Sequence, residues 1–78
     1  MPALSGAELI KLLERRGYTR MRTRGSHVRM YPPPNSTAKK VTVPLHDRIK
    51  SGTLHSILKD AEMTADDVAF TIRSTLGG

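Results

Sequence analysis

The sequence predicts a small α+β fold in which helices cover one face of a three-stranded antiparallel sheet and leave the other face open. Three observations predict it: an apolar stripe at helical spacing near the N-terminus, three stretches of alternating side chains in the middle, and two further helical patterns. Since one face of such a sheet needs cover, the expected order is α-β-β-β-α followed by an extra C-terminal helix.

The first helix has a predicted start and a predicted end. Ser5 and Glu8, three residues apart, match a capping box, in which each side chain bonds the backbone N–H of the other residue. Gly17 is expected to end the helix, because glycine takes the left-handed conformation without steric penalty. Between them lies an apolar stripe made of Leu9, Ile10, Leu12 and Leu13.

Three strands are expected, at about residues 18–24, 27–31 and 40–45, from alternation with a period of two. Strict alternation points Thr19, Met21, Val28, Met30, Val41, Val43 and Leu45 towards the helices. It puts Arg20, Arg22, His27, Arg29, Tyr31 and Thr42 on the open face. Residues 32–38 form a loop, since their prolines cannot donate to a ladder, and Pro44 marks an edge or a strand end.

Two more helical patterns follow the strands. Ser51 or Thr53 is the expected cap of the second helix, which carries Leu54, Ile57, Leu58 and Ala61 on its apolar face. Thr64 with Asp67 is a second capping pair, and the third helix is expected to continue through Val68, Ala69, Ile72 and Leu76.

Length and composition limit the classes of function. A chain of 78 residues is expected to be one domain, residues 1–78, with a thin core and a shallow groove for any site. The absence of cysteine excludes disulfides and cysteine-based zinc sites. No apolar run approaches the roughly 20 residues that span a bilayer, and the N-terminus lacks a signal-peptide pattern. We therefore expect a cytoplasmic protein without a membrane partner.

Positive charge is concentrated in the first three quarters of the chain. Residues 1–59 hold twelve Lys and Arg against three acidic residues, a net +9, whereas residues 60–78 carry a net −3. A basic body of this kind favours a polyanionic partner, in particular a nucleic acid. The alternative is a protein whose surface is simply basic.

Four short motifs, in order, resemble the HicA family of toxins. They are Glu8–Leu13 ending at Gly17, Arg22 to Gly25–Ser26–His27, Val41–His46, and Gly52–Leu54 leading to Ile57–Leu58. The resemblance implies a fold like the double-stranded RNA-binding domain, cleavage of mRNA in which the histidine of Gly-Ser-His is essential, and a partner, the HicB antitoxin. That histidine is His27. The sequence departs from the family in its proline-rich loop, in a third helix that extends beyond the shortest family members, and in His55 where a basic residue is expected.

The chemistry of RNA cleavage is consistent with the residue types around His27. RNA supplies its own nucleophile, the 2′-hydroxyl, so the protein need only move protons and stabilise the phosphate. Imidazole can hold or release a proton near neutral pH, and guanidiniums bind phosphate with paired hydrogen bonds. We expect His27 to transfer a proton, as base or as acid, with no metal and no cofactor.

The remaining site residues are expected to handle phosphate. Arg22, Arg24 and Arg29 are candidates for binding the scissile phosphate, and Ser26 either donates a hydrogen bond to it or shapes the turn. Lys39 and Lys40 are expected to contact the RNA backbone. His46 is a possible second proton-transfer group, although a histidine that follows a strand-end Pro-Leu is more often structural or merely exposed.

Other functions fit part of the pattern. A non-catalytic double-stranded-RNA-binding module would need the basic face and no histidine. A DNA-binding regulator is disfavoured, because no predicted helix is basic enough to enter a major groove. The basic face could also be covered by an acidic partner protein, or by the acidic third helix folding back over it.

Overall fold

The computed structural model describes residues 4–64 and 66–69, and it has the predicted element order. The elements are α1 (Gly6–Arg15), β1 (Thr19–Arg24), β2 (His27–Tyr31), β3 (Val41–Pro44) and α2 (Ser51–Asp60). The strands pair antiparallel in the order β1-β2-β3. This is an α+β fold like that of the double-stranded RNA-binding domain, with one face of the sheet open.

Helix α1 starts and ends as its sequence predicts. The Ser5 hydroxyl accepts a hydrogen bond from the Glu8 N–H at 3.1 Å, and a Glu8 carboxylate oxygen accepts one from the Ser5 N–H at 2.9 Å. Gly17 follows the helix with φ +95°, and the N–H groups of Gly17 and Tyr18 donate to the carbonyls of Glu14 and Leu13. These two bonds form a Schellman motif, which satisfies the last carbonyls of the helix.

One hydrophobic core lies between the sheet and the helices. All four residues of the predicted α1 stripe are buried, as are the four predicted for α2 and the inward side chains of β2 and β3. Seven side chains are less than 2 % exposed: Leu9, Ile10, Leu13, Met30, Val28, Val43 and Val68. Strand β1 contributes no buried residue, because its sequence contains a single apolar side chain and that side chain, Met21, lies on the open face.

The inward and outward assignment predicted for β1 is wrong at three positions. Arg20 pairs with Met30 but Arg22 pairs with Arg29, so the register shifts at Met21. Two residues, Met21 and Arg22, therefore oppose a single residue of β2, which is a β-bulge. The bulge puts Met21 on the open face, and it gives Thr19 and Arg20 the opposite orientation from the one that strict alternation predicts.

Two details near the end of the sheet also differ from the prediction. Leu45 is 42 % exposed, because β3 ends at Pro44 and the next residue no longer follows the strand alternation. Neither Ser51 nor Thr53 caps α2. The N-cap is Lys50, which makes no side-chain capping bond, so both predicted caps lie inside the first turn.

The segment after α2 begins with a helical turn at the start of the predicted third helix. The Thr64 hydroxyl accepts from the Asp67 N–H at 3.1 Å, and the Asp67 carboxylate accepts from the Thr64 N–H at 2.9 Å, as the sequence predicts. Residues 66–69 are helical, with Val68 buried in the core and Ala69 exposed. Asp67 also lies 3.6 Å from Arg16 beyond α1, so this described turn packs on the helical layer and not on the open face. The predicted positions Ile72 and Leu76 lie outside the described residues.

Acid should weaken the fold by titrating the two capping carboxylates. Hydrogen bonds from the backbone N–H of Ser5, and then from its side chain, lower the pKa of Glu8, and Thr64 lowers the pKa of Asp67 in the same way. A depressed pKa in the folded state contributes stability above the unfolded pKa, roughly 4 for these residues. That contribution is lost as the pH falls through the folded value.

We therefore expect the thermal midpoint, followed by circular dichroism, to fall on acidification below about pH 4. The double variant Glu8→Gln/Asp67→Asn should show a smaller fall, because neither replacement titrates and both side chains retain an acceptor oxygen. Glu14→Gln, on the exposed side of α1 and outside both capping pairs, is the matched control. Equal acid sensitivity in the double variant and in the parent would contradict the prediction.

Candidate functional site

A shallow groove of about 550 Å³ crosses the open face of the sheet. Side chains of all three strands line it, and most of them are polar or cationic: Met21, Arg22, Arg24, His27, Arg29, Tyr31 and Thr42. Four of the residues that the sequence singles out, His27 and the three arginines, therefore share one surface. The sheet brings together residues from β1 and β2 because a tight turn joins the two strands.

The turn between β1 and β2 sets the position of His27. Gly25 has φ +58°, the conformation that favours glycine at the first position of a type II′ hairpin turn. Ser26 completes the two-residue turn, and its carbonyl accepts a hydrogen bond from the Leu45 N–H at 2.6 Å. His27 is then the first residue of β2, exposed, and paired with Arg24 on one side and Pro44 on the other.

Positive charges face each other across the groove. Arg22 and Arg29 are direct register partners, and Arg29 Nη1 donates to Thr42 Oγ1 at 3.4 Å on the next strand. Like charges directly opposite each other in a sheet are destabilising. Among the residues that the structure describes, no carboxylate lies within 4.0 Å of Arg22, Arg24 or Arg29. Such a cluster favours binding of an external anion.

Neither of the two predicted lysines lines the groove, although Lys40 contacts Tyr31, one of the lining residues. The Lys40 ammonium lies 4.6 Å from the centre of the Tyr31 ring, a cation–π contact at the groove's edge. Lys39 is exposed and does not line the groove, but its backbone is fixed: its N–H donates to Asp60 O at 2.8 Å and its carbonyl accepts from Tyr18 Oη at 2.6 Å.

Tyr18 is a supporting residue under this segment. It is buried and belongs to the core. Burial raises the pKa of its hydroxyl, with smaller contributions from the negative charges of Asp60 and Glu62. The hydroxyl therefore stays protonated and donates a hydrogen bond to the Lys39 carbonyl. This bond positions the segment that carries both lysines.

The structure separates the remaining predicted residues from the groove. The Ser26 side chain is exposed in the turn beside His27 and does not line the groove. His46 follows β3, is exposed, and does not line it either; its carbonyl accepts from the Gly6 N–H at 2.9 Å. His55 is exposed on α2, on a different part of the surface.

Sequence reasoning missed Met21 as a residue of this surface. Its side chain is 57 % exposed within the groove, although alternation predicts it in the core. The signal that could have found it is composition: Thr19–Arg24 has a single apolar residue, which is too little for a strand that contributes to a core. A strand that buries no side chain can contain a bulge without removing a residue from the core.

Neither a cluster of metal-ligating side chains nor a membrane-spanning helix is found among the described residues. Within residues 4–64 and 66–69, no three His, Cys, Asp or Glu side chains are arranged so that they could hold a metal ion. None of the helices described for this chain is long and apolar enough to cross a membrane.

One comparison with known proteins agrees with the motifs. The family model described as the HicA toxin of bacterial toxin–antitoxin systems matches residues 6–63. This range includes α1, the whole sheet and α2, and therefore every residue of the groove. No curated protein and no solved structure shows significant similarity to the chain. With most of its length matched, this chain belongs to the HicA family, the toxins of toxin–antitoxin systems.

Proposed function

We propose that this protein is a metal-independent endoribonuclease that cuts mRNA, with His27 as its proton-transfer residue. Membership of the family implies an RNA target and an antitoxin partner. The observation that supports the chemistry is the exposed imidazole beside Arg24, in a groove that also contains Arg22 and Arg29.

The reaction begins at the ribose. The 2′-oxygen loses its proton and bonds to the adjacent phosphorus, while the bond from phosphorus to the 5′-oxygen breaks and that oxygen takes up a proton. The products are a 2′,3′-cyclic phosphate and a free 5′-hydroxyl. One imidazole can accept the first proton or donate the second, with water supplying the complement, and such help accelerates a reaction by about 10²–10⁴-fold.

The arginines stabilise the phosphate while negative charge accumulates on its oxygens. Side chains directly opposite in a sheet have Cβ atoms about 4.5–5.5 Å apart, so Arg24 lies next to His27 across the strands. Arg29 follows two residues later on the same face, opposite Arg22. Guanidinium donors held in place before the reaction stabilise the transition state without reorganisation.

The partner is proposed to be a HicB-type antitoxin that covers this face. An acidic surface on the antitoxin would supply the counter-charges that the described residues around the groove lack. Partner and RNA would then compete for the same guanidiniums. Adding antitoxin should therefore protect RNA from cleavage.

The purified protein should cut mRNA in excess EDTA and leave 5′-hydroxyl ends. An oligonucleotide with one 2′-deoxy sugar at the mapped cut should resist cleavage there, because it lacks the nucleophile. Binding without any cleavage, weakening steeply with salt, would contradict the proposal and would instead indicate a non-catalytic RNA-binding module.

A further inference from the structure

Met21 is the apolar residue that the β1 bulge places among the cations. It is 57 % exposed and lines the groove together with its neighbour Arg22 and with Arg29, the register partner of Arg22. A β-bulge interrupts the ladder, and bulges are found next to active sites, where they redirect a side chain. Without the bulge, alternation would turn Met21 towards the helices.

The open face is arranged in rows across the strands. The first row contains His27 and Arg24, the second Arg29 with Met21 and Arg22, and the third Tyr31. Alternate residues of a strand are about 6.7 Å apart, which is comparable to the length of one nucleotide in an extended strand. A chain of nucleotides lying along β2 could thus place successive units on successive rows.

The second and third rows combine charge with apolar surface. Guanidiniums suit phosphates, whereas a thioether and a half-buried aromatic ring suit the flat, weakly polar faces of nucleobases. The Lys40 ammonium over the Tyr31 ring adds a cation at the far end. Cationic and apolar side chains side by side match a nucleic-acid strand, which has both phosphates and bases. A free anion would make no favourable contact with Met21.

The faces of the bases are accessible only where RNA is unpaired. In an A-form duplex the bases are stacked on each other, and the shallow minor groove displays base edges and 2′-hydroxyls. Unpaired bases, in contrast, can be splayed out against a sheet surface. A groove that contacts base faces therefore selects single-stranded RNA.

We propose that Met21 packs against an unpaired nucleobase beside the scissile phosphate, so that the substrate is single-stranded at the cut. This inference rests on the proposed function, because a scissile phosphate exists only if the protein cuts RNA. The contact between Met21 and a base is nevertheless tested by binding alone. His27→Ala serves as the parent for this test, since it is expected to bind RNA without cutting it.

Binding should be measured by fluorescence anisotropy with labelled oligoadenylate, its duplex with oligouridylate, and an abasic oligomer of equal length and charge. Met21→Ala, made in the His27→Ala protein, is expected to weaken oligoadenylate binding by about 5- to 10-fold, the effect of exposing part of a methionine side chain. It should leave binding of the abasic oligomer and of the duplex unchanged. Leu45→Ala is the matched control, since Leu45 is 42 % exposed and lies outside the groove.

Two results would overturn the proposal. One is that Met21→Ala binds oligoadenylate as tightly as the parent does. Met21 would then not contact RNA, and its exposed side chain would be a candidate contact for a protein partner. The other is an equal loss with the abasic oligomer, which would show that no base is contacted. Neither depends on cleavage, so failure of the nuclease assay and failure of this inference are distinguishable.

Discussion

Replacement of His27 by alanine is expected to lower RNA cleavage by about 10²–10⁴-fold, the usual contribution of a positioned proton-transfer group. The fold should be unaffected, because the side chain is exposed at the start of β2 and contributes nothing to the core. RNA affinity should change little, since the guanidiniums that bind phosphate remain. The measurement is single-turnover cleavage of labelled RNA, with thermal unfolding recorded for the same preparation.

His55→Ala is the matched control for this experiment. His55 is also an exposed histidine, but it lies on α2 and outside the groove. Cleavage by this variant should equal that of the parent. If His27→Ala cuts as fast as the parent, another group transfers the proton and the proposed mechanism is wrong.

A modified substrate separates the two possible roles of His27. When sulfur replaces the bridging 5′-oxygen, the leaving group departs without taking up a proton. His27→Ala should then recover activity if His27 is the acid, and should remain slow if His27 is the base. Either outcome assigns the role. Equal cleavage rates for the parent and His27→Ala on both substrates would exclude proton transfer by His27.

Gly6→Ala is expected to destabilise the protein by about 1–3 kcal/mol, the usual cost of forcing an extra group into packed surroundings. A Cβ atom at this position would collide with the Pro44 carbonyl oxygen and would lie 2.9 Å from Leu45 Cα. Both obstacles are backbone atoms, so they cannot move aside as a flexible side chain would. The Gly6 N–H also donates to the His46 carbonyl at 2.9 Å, which holds α1 against the end of β3.

Thermal unfolding followed by circular dichroism measures this effect. In a domain of this size, 1 kcal/mol corresponds to a shift of about 4–8 °C. Gly52→Ala is the control, because a Cβ there meets nothing within 4 Å and alanine is the better helix former in α2. Its midpoint should stay level or rise. A Gly6→Ala midpoint equal to the parent's would mean that the α1–β3 approach is looser than described.

The same contact connects the core to the site. Pro44, which Gly6 contacts, is the register partner of His27. Separation of α1 from β3 would therefore disturb the strand beside the imidazole. The activity of Gly6→Ala should fall more steeply with temperature than that of Gly52→Ala.

Local signals in the sequence were sufficient for most of the fold. The capping pairs Ser5–Glu8 and Thr64–Asp67 and the stop at Gly17 depend on bonds between residues three to five positions apart, so the sequence contains both partners. The apolar stripes of α1 and α2 correctly predicted buried residues, and so did the alternation at Val28 and Met30 of β2 and at Val41 and Val43 of β3, because these side chains lie on the side of each element that faces the core.

The same local rule failed where pairing departs from regularity. Alternation in β1 carries no information on a bulge, because the extra residue becomes apparent only when β2 provides the partner positions. The start of α2 failed for a related reason. Ser51 and Thr53 are both good capping residues, and the path of the chain into the helix selected Lys50 instead.

The sequence by itself determined the order of the elements, the core-facing sides of the helices, and the basic surface around His27, since each depends on periodicity, capping or charge. The tertiary structure decided which cations share the groove with the imidazole, that Met21 joins them, and that Gly6 must have no side chain. Those three features depend on strand register and on close approach between segments far apart in the chain, and neither can be derived from periodicity, capping or charge.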